Sequence, residues 1–367
     1  MNGNIPEMRS HQDWSAMRTR RFRRRILHWY DKNKRSLPWR IDPTPYRIWI
    51  SEIMLQQTQA KTVIPYFNRF IRTFPDLESL ARASESKVLE LWAGLGYYNR
   101  ARNLHRAARQ IVGEHGSFPR EFKTVLNLPG VGRYTAGAVC SLAFDQKQPV
   151  VDGNVRRLLI RLNGLKGHVA ENHHWNQMSV LLPERRVGSF NQAMMELGAL
   201  VCVPFQPRCL LCPVKSFCEG YKLGIQNSIP KTRSKQTPKR VSIAILVLEK
   251  GGRILLTSGG KPPFIPGEWG LPCKSISKEK SAARTASLLC RKILGRACPL
   301  SPLMPIRHSI TRYRIGVYGF YGKINGSAGS LNGAGNVRWV SYDSHGKFLT
   351  SSLFQKVLGR ARQAKLK

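Results

Sequence analysis

The chain has 367 residues, of which 60 are Lys or Arg and 21 are Asp or Glu, so its formal net charge at pH 7 is +39. Such an excess of positive charge predicts a polyanionic partner, and nucleic acid is the first candidate. No apolar run approaches the length of a membrane span and no signal-peptide pattern opens the chain, which argues against a membrane or secreted protein.

The eight cysteines are unevenly distributed, because four of them fall between residues 202 and 218. This crowding predicts a metal site in a reducing compartment rather than a disulfide framework. We therefore expect a cytoplasmic protein associated with the nucleoid of a bacterium, although a eukaryotic source is equally compatible with the sequence.

Helical periodicity dominates the first part of the chain. The basic run Arg18 to Arg25 leads into an amphipathic segment, which predicts a basic first helix. A further helix is predicted from about Tyr46 to Gln59, with Glu52 on its apolar side. Burial there would raise the pKa of Glu52 and suit a general acid. A carboxyl group hydrogen-bonded in the interior or at a helix edge is the alternative, and periodicity alone favours it.

The stretch from Leu126 to Leu162 predicts two helices around a glycine turn, an acid-bearing loop and a third helix. Backbone N–H groups of the turn Leu128 to Gly132 could bind a phosphate, or the turn could be an ordinary helix connection. The following loop contains Asp152 and Asn154, and either residue could simply be the N-cap of the third helix.

The clustered cysteines have the spacing Cys-x6-Cys-x2-Cys-x5-Cys, which is a strong metal-binding pattern: Cys202, Cys209, Cys212 and Cys218. Four thiolates at this spacing could hold zinc or a four-iron cluster, and the spacing does not decide between them.

The composition changes to Lys, Arg, Ser, Thr, Gln and Pro between residues 223 and 239, which is typical of a linker. Beyond it the pattern predicts an α/β unit. Its predicted elements are strands at Val241 to Leu248 and Arg253 to Thr257, a helix from about Glu279 to Leu294, a strand pair near Ile306 to Ile324, a strand near Val337 to Val340 and a final helix.

Several motifs occur in a fixed order between about Arg20 and Cys218. They are Leu37-Pro38-Trp39-Arg40, the segment SEIMLQQTQ from Ser51 to Gln59, the segment GLGYY from Gly94 to Tyr98, the glycine turn, the Asp152 loop and the cysteine cluster. Together they resemble the adenine DNA glycosylases of the MutY type, within the helix-hairpin-helix glycosylase superfamily.

The resemblance implies a mainly α glycosylase domain at residues 15–222, with the helix-hairpin-helix near 121–144 and the cluster loop at 202–218. A basic linker at 223–239 and a Nudix-like α/β domain at 240–367 would follow. The resemblance also favours a [4Fe-4S] cluster over zinc at the four cysteines.

The implied function is base-excision repair, in which a monomer binds double-stranded DNA, flips adenine mispaired with 8-oxoguanine or guanine, and removes it by hydrolysis. The implied site residues are, for catalysis, Glu52, Asp152, Tyr134 and Asn154; for adenine binding, Arg35, Leu37, Trp39, Arg40 and Gln192; and for DNA binding, Gln57, Tyr97, Leu128, Gly130, Val131 and Gly132. Core packing for Tyr97 and a helix surface for Gln192 are the alternatives that the residues alone suggest.

Position 134 separates two chemistries within the superfamily. The endonuclease III branch carries a Lys there, and its amine forms a Schiff base that cuts the strand. This chain has Tyr134. The resemblance therefore implies base removal without strand cleavage.

The second domain has a predicted role in recognition. Nudix hydrolases need a Glu-rich helix to hold magnesium, whereas the segment Ser281 to Leu289 contains no carboxylate, so no pyrophosphatase activity is expected. The resemblance implies 8-oxoguanine recognition by His308, Ser309, Ile310, Thr311 and Arg312, in place of the family's Phe-Ser-His loop. Arg in place of His is a real change, and it leaves the strength of recognition open.

Three other functions compete with this interpretation. One is an endonuclease III-like glycosylase and lyase acting on oxidised pyrimidines. Another is a non-catalytic, cluster-bearing protein that binds lesions and uses Glu52 and Asp152 only structurally. A free-nucleotide hydrolase is the least favoured, because the metal-binding helix lacks its acids.

Overall fold

A computed structural model provides the structure of this chain. It describes residues 14–167, 169–231, 237–265, 269–277, 281–310, 312–325, 336–342, 344–345, 348–349 and 351–365. By its internal contacts the chain divides into two compact units, one comprising Met1–Ala83 and Arg102–Arg233 and the other comprising Ser84–Ala101 and Ser234–Lys367. The domain bounds given by the sequence remain predictions.

The first unit is helical, as predicted. The α-helices between residues 14 and 222 are α1 (Ala16–Asn33), α2 (Pro38–Ile41), α3 (Pro45–Leu55), α4 (Ala60–Thr73), α5 (Leu77–Arg82), α6 (Glu85–Trp92), α7 (Asn99–His115), α8 (Phe122–Leu126), α9 (Arg133–Phe144), α10 (Gly153–Leu162), α11 (Glu171–Leu181), α12 (Val187–Leu200) and α13 (Glu219–Lys222). Helix α6 and the start of α7 lie in the segment 84–101, which groups with the second unit. No helix among the described residues is both long and apolar enough to cross a membrane.

The predicted basic helix is α1, and one face of it is buried. Phe22, Ile26 and Tyr30 recur at helical spacing and enter a core shared with α10, α11 and α12. Arg23 donates hydrogen bonds to the carbonyl oxygens of Leu181 and Leu182 at 2.9 and 2.6 Å, which satisfies acceptors at the end of α11. This core fixes α10 and α12, which both contribute residues to the main pocket.

The helix that carries Glu52 is shorter than the sequence predicts. It ends at Leu55 rather than near Gln59, because Gln57 adopts a left-handed backbone conformation with φ of 57°. Thr58 N–H bonds back to the Leu55 carbonyl, and α4 begins at Ala60. Gln57 therefore lies in the turn between α3 and α4, and its side chain is not part of either helix.

The glycine turn connects α8 and α9, which confirms the predicted helix-hairpin-helix. Gly130 has φ of 76°, and a Cβ atom there would lie 2.7 Å from the Cβ of Asn103. Only glycine meets both conditions without strain. The Val131 N–H donates to the Leu128 carbonyl at 3.1 Å, which closes the turn just before α9.

In the described part of residues 234–367, the second unit contains a mixed eight-stranded sheet and two helices. The strands are β1 (Lys239–Lys250), β2 (Arg253–Ser258), β3 (Trp269–Gly270), β4 (Cys273–Ser275), β5 (Ser301–Pro302), β6 (Ile306–Ile310), β7 (Tyr313–Lys323) and β8 (Val337–Ser341), and the helices are α14 (Ala282–Leu294) and α15 (Ser352–Lys365). Strands β1 and β7 pair in parallel at the centre, in the order β3-β2-β1-β7-β5, while β4, β6 and β8 pair with β1, β7 and β2.

Each face of the sheet is covered by a helix. Along β1, Ile243, Ile245 and Val247 enter the core on the α15 side, while Ala244 and Leu246 enter the core on the α14 side. This is the α/β architecture that the sequence predicts for the Nudix-like part. The predicted strands and helices lie within a few residues of their expected positions, whereas the short strands β3, β4 and β5 were not predicted.

Candidate active site

A pocket of about 820 Å³ opens in the first unit, between α3, α9, α10 and α12. Its volume lies in the usual range for small-molecule sites. The pocket brings together ten of the residues predicted from the sequence: Arg35, Leu37, Trp39, Arg40, Glu52, Gln57, Tyr134, Asp152, Asn154 and Gln192.

Glu52 lies on α3 with only 4% of its surface exposed. Burial, with a smaller contribution from the charge of Asp152, raises the pKa of its carboxyl group to about 7. A hydrogen bond from the Tyr134 hydroxyl and the more distant charge of Arg40 oppose this shift only in part. A large fraction of Glu52 is therefore protonated near neutral pH, as a general acid requires.

Tyr134 is placed on the first turn of α9, directly after the glycine turn. Its hydroxyl donates to Oε2 of Glu52 at 2.9 Å and lies 3.5 Å from the sulfur of Met195. Burial raises the pKa of Tyr134 well above its ordinary value, so the hydroxyl stays neutral. The residue at this position can orient Glu52, but it offers no amine.

Asp152 both caps a helix and lines the pocket. Its Oδ1 accepts a hydrogen bond from the Val155 N–H at 2.7 Å, which makes it the N-cap of α10. Its Oδ2 accepts from the Asn154 amide at 2.9 Å. Helix capping and placement in the site are thus compatible, because the two carboxylate oxygens have different partners.

Gln192 lines the same pocket, together with Arg35, Leu37, Trp39 and Arg40. Oε1 of Gln192 accepts a hydrogen bond from the Tyr30 hydroxyl at 3.0 Å, which fixes the orientation of the amide. An amide with a fixed orientation can distinguish donors from acceptors on a base edge.

Glu196 is a pocket residue that the sequence prediction missed. It is 1% exposed and binds Arg35 through both carboxylate oxygens at 2.8 Å and Arg40 at 3.1 Å. Burial would raise its pKa, but the hydrogen bonds from the two arginines outweigh burial and bring the pKa to about 2. The sequence signal that could have identified Glu196 is its position as the single acidic residue of the largely apolar helix α12.

Arg157 was also missed, and it connects the loop that contains Asp152 and Asn154 with the cysteine segment. Its Nη2 donates to Oδ1 of Asn154 at 2.8 Å and to the Gly198 carbonyl at 2.7 Å, while its Nε donates to the Cys202 carbonyl at 2.8 Å. Its position five residues after Asp152 gave no separate sequence signal among so many arginines.

The four predicted metal ligands line a second cavity: Cys202, Cys209, Cys212 and Cys218. Arg161 is 2% exposed there, and its Nη1 lies 3.4 Å from the Cys202 sulfur. Arg161 also donates to the carbonyl oxygens of Val203 and Pro204 at 2.6 and 2.8 Å, and so holds the first loop of the cluster segment. Arg208 and Lys215 are exposed within this segment.

The chemistry of this cavity fits a cationic metal group. Burial raises the pKa of the Cys212 thiol to about 12 and that of the Cys218 thiol to about 11, so thiolates here need positive charge beside them. Among the described residues, no three His, Cys, Asp or Glu side chains form a group that could hold a single metal ion.

The predicted DNA-binding residues occupy more than one place. Gln57 lines the pocket, whereas Leu128 and the turn Gly130 to Gly132 do not. Tyr97 lies in the segment 84–101, where it is 49% exposed and has a left-handed backbone with φ of 50°. Exposure of Tyr97 is compatible with the predicted wedge and argues against simple core packing.

The predicted lesion-recognition residues lie on the β6–β7 hairpin of the second unit. Ile310 pairs directly with Tyr313, and Ser309 pairs with Arg314. Successive residues of a strand point to opposite faces, so His308 and Ile310 lie on one face and Ser309 on the other. Arg312 is exposed in the turn, and Thr311 lies outside the described residues.

Comparisons with known proteins agree with this geometry. A family described as "HhH-GPD superfamily base excision DNA repair protein" matches residues 50–182. The structure of a thermostable thymine-DNA glycosylase, 32% identical, aligns with 57% of this chain and 100% of that chain, with a TM-score of 0.53. The fold and the pocket thus define a DNA glycosylase of the HhH-GPD superfamily.

Two relatives narrow this class. The adenine DNA glycosylase of Buchnera aphidicola subsp. Acyrthosiphon pisum is 42% identical over 233 residues, which are 62% of this chain and 67% of the relative. That of Mus musculus is 34% identical over 399 residues, which are 92% of this chain and 77% of the relative. The chain belongs to the adenine DNA glycosylase family.

Proposed function

We propose that this protein removes adenine from double-stranded DNA when the adenine is mispaired with 8-oxoguanine or guanine, by hydrolysis of the N-glycosidic bond. The observation that supports this most directly is the buried Glu52, whose carboxyl group has a pKa of about 7. Glu52 lines one pocket with Asp152 and with the side-chain amide of Gln192. A base within a duplex cannot reach such a pocket, so the adenosine must be flipped out of the stack.

Glu52 acts as the proton donor in this proposal. A purine leaves slowly as an anion, and protonation of a ring nitrogen such as N7 converts it into a neutral leaving group. Because Tyr134 donates to one oxygen of Glu52, the other oxygen is the one available to carry a proton toward the base. The neutral Tyr134 hydroxyl fixes this orientation without taking the proton itself.

Asp152 stabilises the sugar cation that forms as the base departs. Since both of its oxygens accept hydrogen bonds from donors on its own loop and helix, its charge is held in a fixed direction. A carboxylate so placed can stabilise the cation by charge or capture it transiently, as carboxylates do in sugar hydrolases. Glu52, deprotonated after base release, can then activate water.

The absence of an amine at position 134 supports base removal without Schiff-base strand cleavage. One lysine, Lys61, is among the described residues lining the pocket, and it is exposed at the start of α4. A borohydride-trapped adduct that disappears in Lys61→Ala would therefore identify a side reaction of the product rather than the excision step.

We further propose that the four cysteines hold a [4Fe-4S] cluster, whose chemistry here is structural and electrostatic. The exposed Arg208 and Lys215 would then be positioned by the segment that the cluster fixes and that Arg161 also holds, and these two cations would contact DNA phosphates. Analysis of the purified protein should find about four irons and about four sulfides per chain. Zinc in place of iron and sulfide would contradict it.

DNA is the proposed partner, and the second unit is proposed to read the base opposite the adenine. Adenine is an undamaged base, so discrimination must come from its partner. A monomer working at the nucleoid agrees with the charge of +39 and with the clustered cysteines.

A glycosylase assay with and without alkali tests the proposed function. Duplexes carrying A:8-oxoguanine, A:G and A:T are incubated with the wild-type protein, Glu52→Gln and Asp152→Asn. Alkali-dependent breaks at adenine opposite 8-oxoguanine, absent in both variants, are the expected result. Equal cutting of A:T, breaks without alkali that survive Lys61→Ala, or lesion binding without base release would each contradict the proposal.

A further inference from the structure

The tip of the β6–β7 hairpin carries an aromatic pair that the sequence did not single out. The ring of Phe264, from the connection between β2 and β3, stacks on the ring of Tyr313 with centroids 4.3 Å apart and an interplanar angle of 22°. Tyr313 is the first residue of β7 and pairs across the hairpin with Ile310. The three apolar side chains thus meet at one end of the sheet.

This end of the sheet is only partly covered. Phe264, Ile310 and Tyr313 are half-buried, and each packs at the margin of the core on the α15 side. Next along β7 on the same face, Ile315 and Val317 are fully enclosed in that core. Both rings of the stacked pair are therefore anchored in the protein while part of their surface stays accessible to a ligand.

Two exposed cations lie beside the stacked pair. The guanidinium of Arg312 lies 5.6 Å from the centre of the Tyr313 ring, and the Lys239 N–H donates to the Arg312 carbonyl at 2.8 Å. Lys239 is the β1 partner of Tyr313, whereas the exposed Arg240 and Arg314 form the next pair of this ladder and so lie on the opposite face of the sheet. No acid occurs among the described residues 237–241, 306–310 and 312–316.

Aromatic rings flanked by exposed cations are typical of surfaces that bind nucleic acid, because the rings stack on bases while the cations contact phosphates. The same hairpin has Ile310 where related glycosylases were expected to carry a Phe. An aliphatic side chain cannot offer the flat face that stacks on a base, whereas Phe264 and Tyr313 can.

We propose that the stacked Phe264–Tyr313 pair, edged by Arg312, is the contact on which the base opposite the excised adenine stacks. This inference rests on the proposed function and adds to it the residues that bind the partner base. Phe264 lies far from the hairpin in sequence, so its role depends on the loop that brings it to Tyr313.

The test is the affinity of the full chain for two duplexes. Both contain 2′-fluoro-2′-deoxyadenosine, which resists hydrolysis, placed opposite 8-oxoguanine in one duplex and opposite a tetrahydrofuran abasic analogue in the other. In Phe264→Leu we expect affinity for the first duplex to fall roughly tenfold, in line with the usual contribution of one stacked base. Affinity for the second duplex, which has no base to stack, should stay unchanged.

Tyr318→Leu is the matched control. Tyr318 is an exposed aromatic residue on the same strand but on the opposite face of the sheet, with 39% of its surface accessible. It should leave both affinities unchanged, and Phe264→Tyr, which keeps the ring, should retain the wild-type preference. If Phe264→Leu does not fold, Arg312→Gln at the exposed turn is measured in its place. Its affinity for the 8-oxoguanine duplex should fall, while its affinity for the abasic duplex should stay unchanged.

The possible outcomes distinguish failure of this inference from failure of the proposed function. If Phe264→Leu keeps the wild-type preference for the 8-oxoguanine duplex, the inference is wrong while the proposed function stands. The same holds for Arg312→Gln where that variant is used instead. Equal weakening on both duplexes also overturns it, because the pair would then act only in packing. A wild-type protein that binds both duplexes equally contradicts inspection of the partner base itself, and the inference falls with it.

Discussion

Glu52 and Glu196 line the same pocket, yet their surroundings drive their pKa values in opposite directions. Glu52 is buried beside a neutral hydroxyl and has a pKa near 7, whereas Glu196 is buried against two arginines and has a pKa near 2. One carboxyl group can therefore donate a proton at neutral pH, while the other remains a permanent anion that fixes Arg35 and Arg40 at the pocket wall.

The rate of base release should depend on the protonation of Glu52. Because the reactive form carries the proton, we expect the single-turnover rate to fall about tenfold per pH unit above about pH 7. Base release measured between about pH 5 and about pH 9 tests this. A profile that stays level through pH 7 would contradict Glu52 as the proton donor.

Glu52 should also make the stability of the fold depend on pH. Its pKa is higher in the folded protein than the ordinary value of 4.5, so between these values the folded protein holds a proton that the unfolded chain has lost. Stability is therefore lost as pH rises towards about 7. Glu52→Gln should be more stable than the wild type at about pH 8, by up to about 3 kcal/mol, with the difference vanishing below about pH 4.5. Thermal unfolding at both pH values measures this, and an unchanged difference would contradict the assigned burial effect.

Asp152 can be tested for catalysis separately from its capping role. Asn is as good an N-cap as Asp, so Asp152→Asn should change the free energy of unfolding by less than about 0.5 kcal/mol while lowering activity about 100-fold or more. Asp152→Ala removes the cap as well, and should cost about 1 kcal/mol. Full activity in Asp152→Asn would reduce Asp152 to a helix cap.

At the scale of elements, the active site depends on where helices end. The left-handed residue Gln57 stops α3 one turn past Glu52, and the glycine turn starts α9 two residues before Tyr134. Asp152 is the N-cap of helix α10, and Arg157 in the second turn of this helix ties the same loop to the Cys202 segment. The proposed catalytic groups thus lie at element ends that rigid helices position.

The two glycines of the turn should respond differently to substitution. Gly130→Ala places a side chain at φ of 76° and 2.7 Å from Asn103, so it should destabilise the fold by about 1–3 kcal/mol and weaken DNA binding. Gly132 has an ordinary backbone and open space around it, so Gly132→Ala is the matched control and should leave thermal unfolding nearly unchanged. Equal effects of the two substitutions on thermal unfolding would contradict this account of the turn.

At the scale of the whole molecule, the net charge of +39 should make DNA binding strongly salt-dependent. A protein that contacts about six or more phosphates loses roughly 10³-fold in affinity between about 50 mM and about 200 mM salt. We expect at least this loss on undamaged duplex, measured as the slope of log affinity against log salt. A shallow slope would mean that most of the positive charge lies away from the DNA.

Much of the site could be predicted from the sequence because its residues belong to contiguous motifs. Glu52, Tyr134, Asp152 and the cysteines each stand in a segment whose order and spacing resemble one family, and periodicity placed their helices to within a few residues. The sheet and helices of the second unit followed from alternation and turn residues for the same reason.

The sequence by itself determined which residues are proposed for catalysis, the α and α/β classes of the two parts, and the positive charge that predicts DNA binding. Only the tertiary structure placed Glu196 against Arg35 and Arg40, Arg157 between Asn154 and Cys202, and Phe264 on Tyr313. These contacts join residues far apart in the chain, and their partners are ordinary residue types whose roles come only from burial and proximity. The pKa of Glu52 shows the same division, since its position was predictable but the burial that raises it depends on how the helices pack.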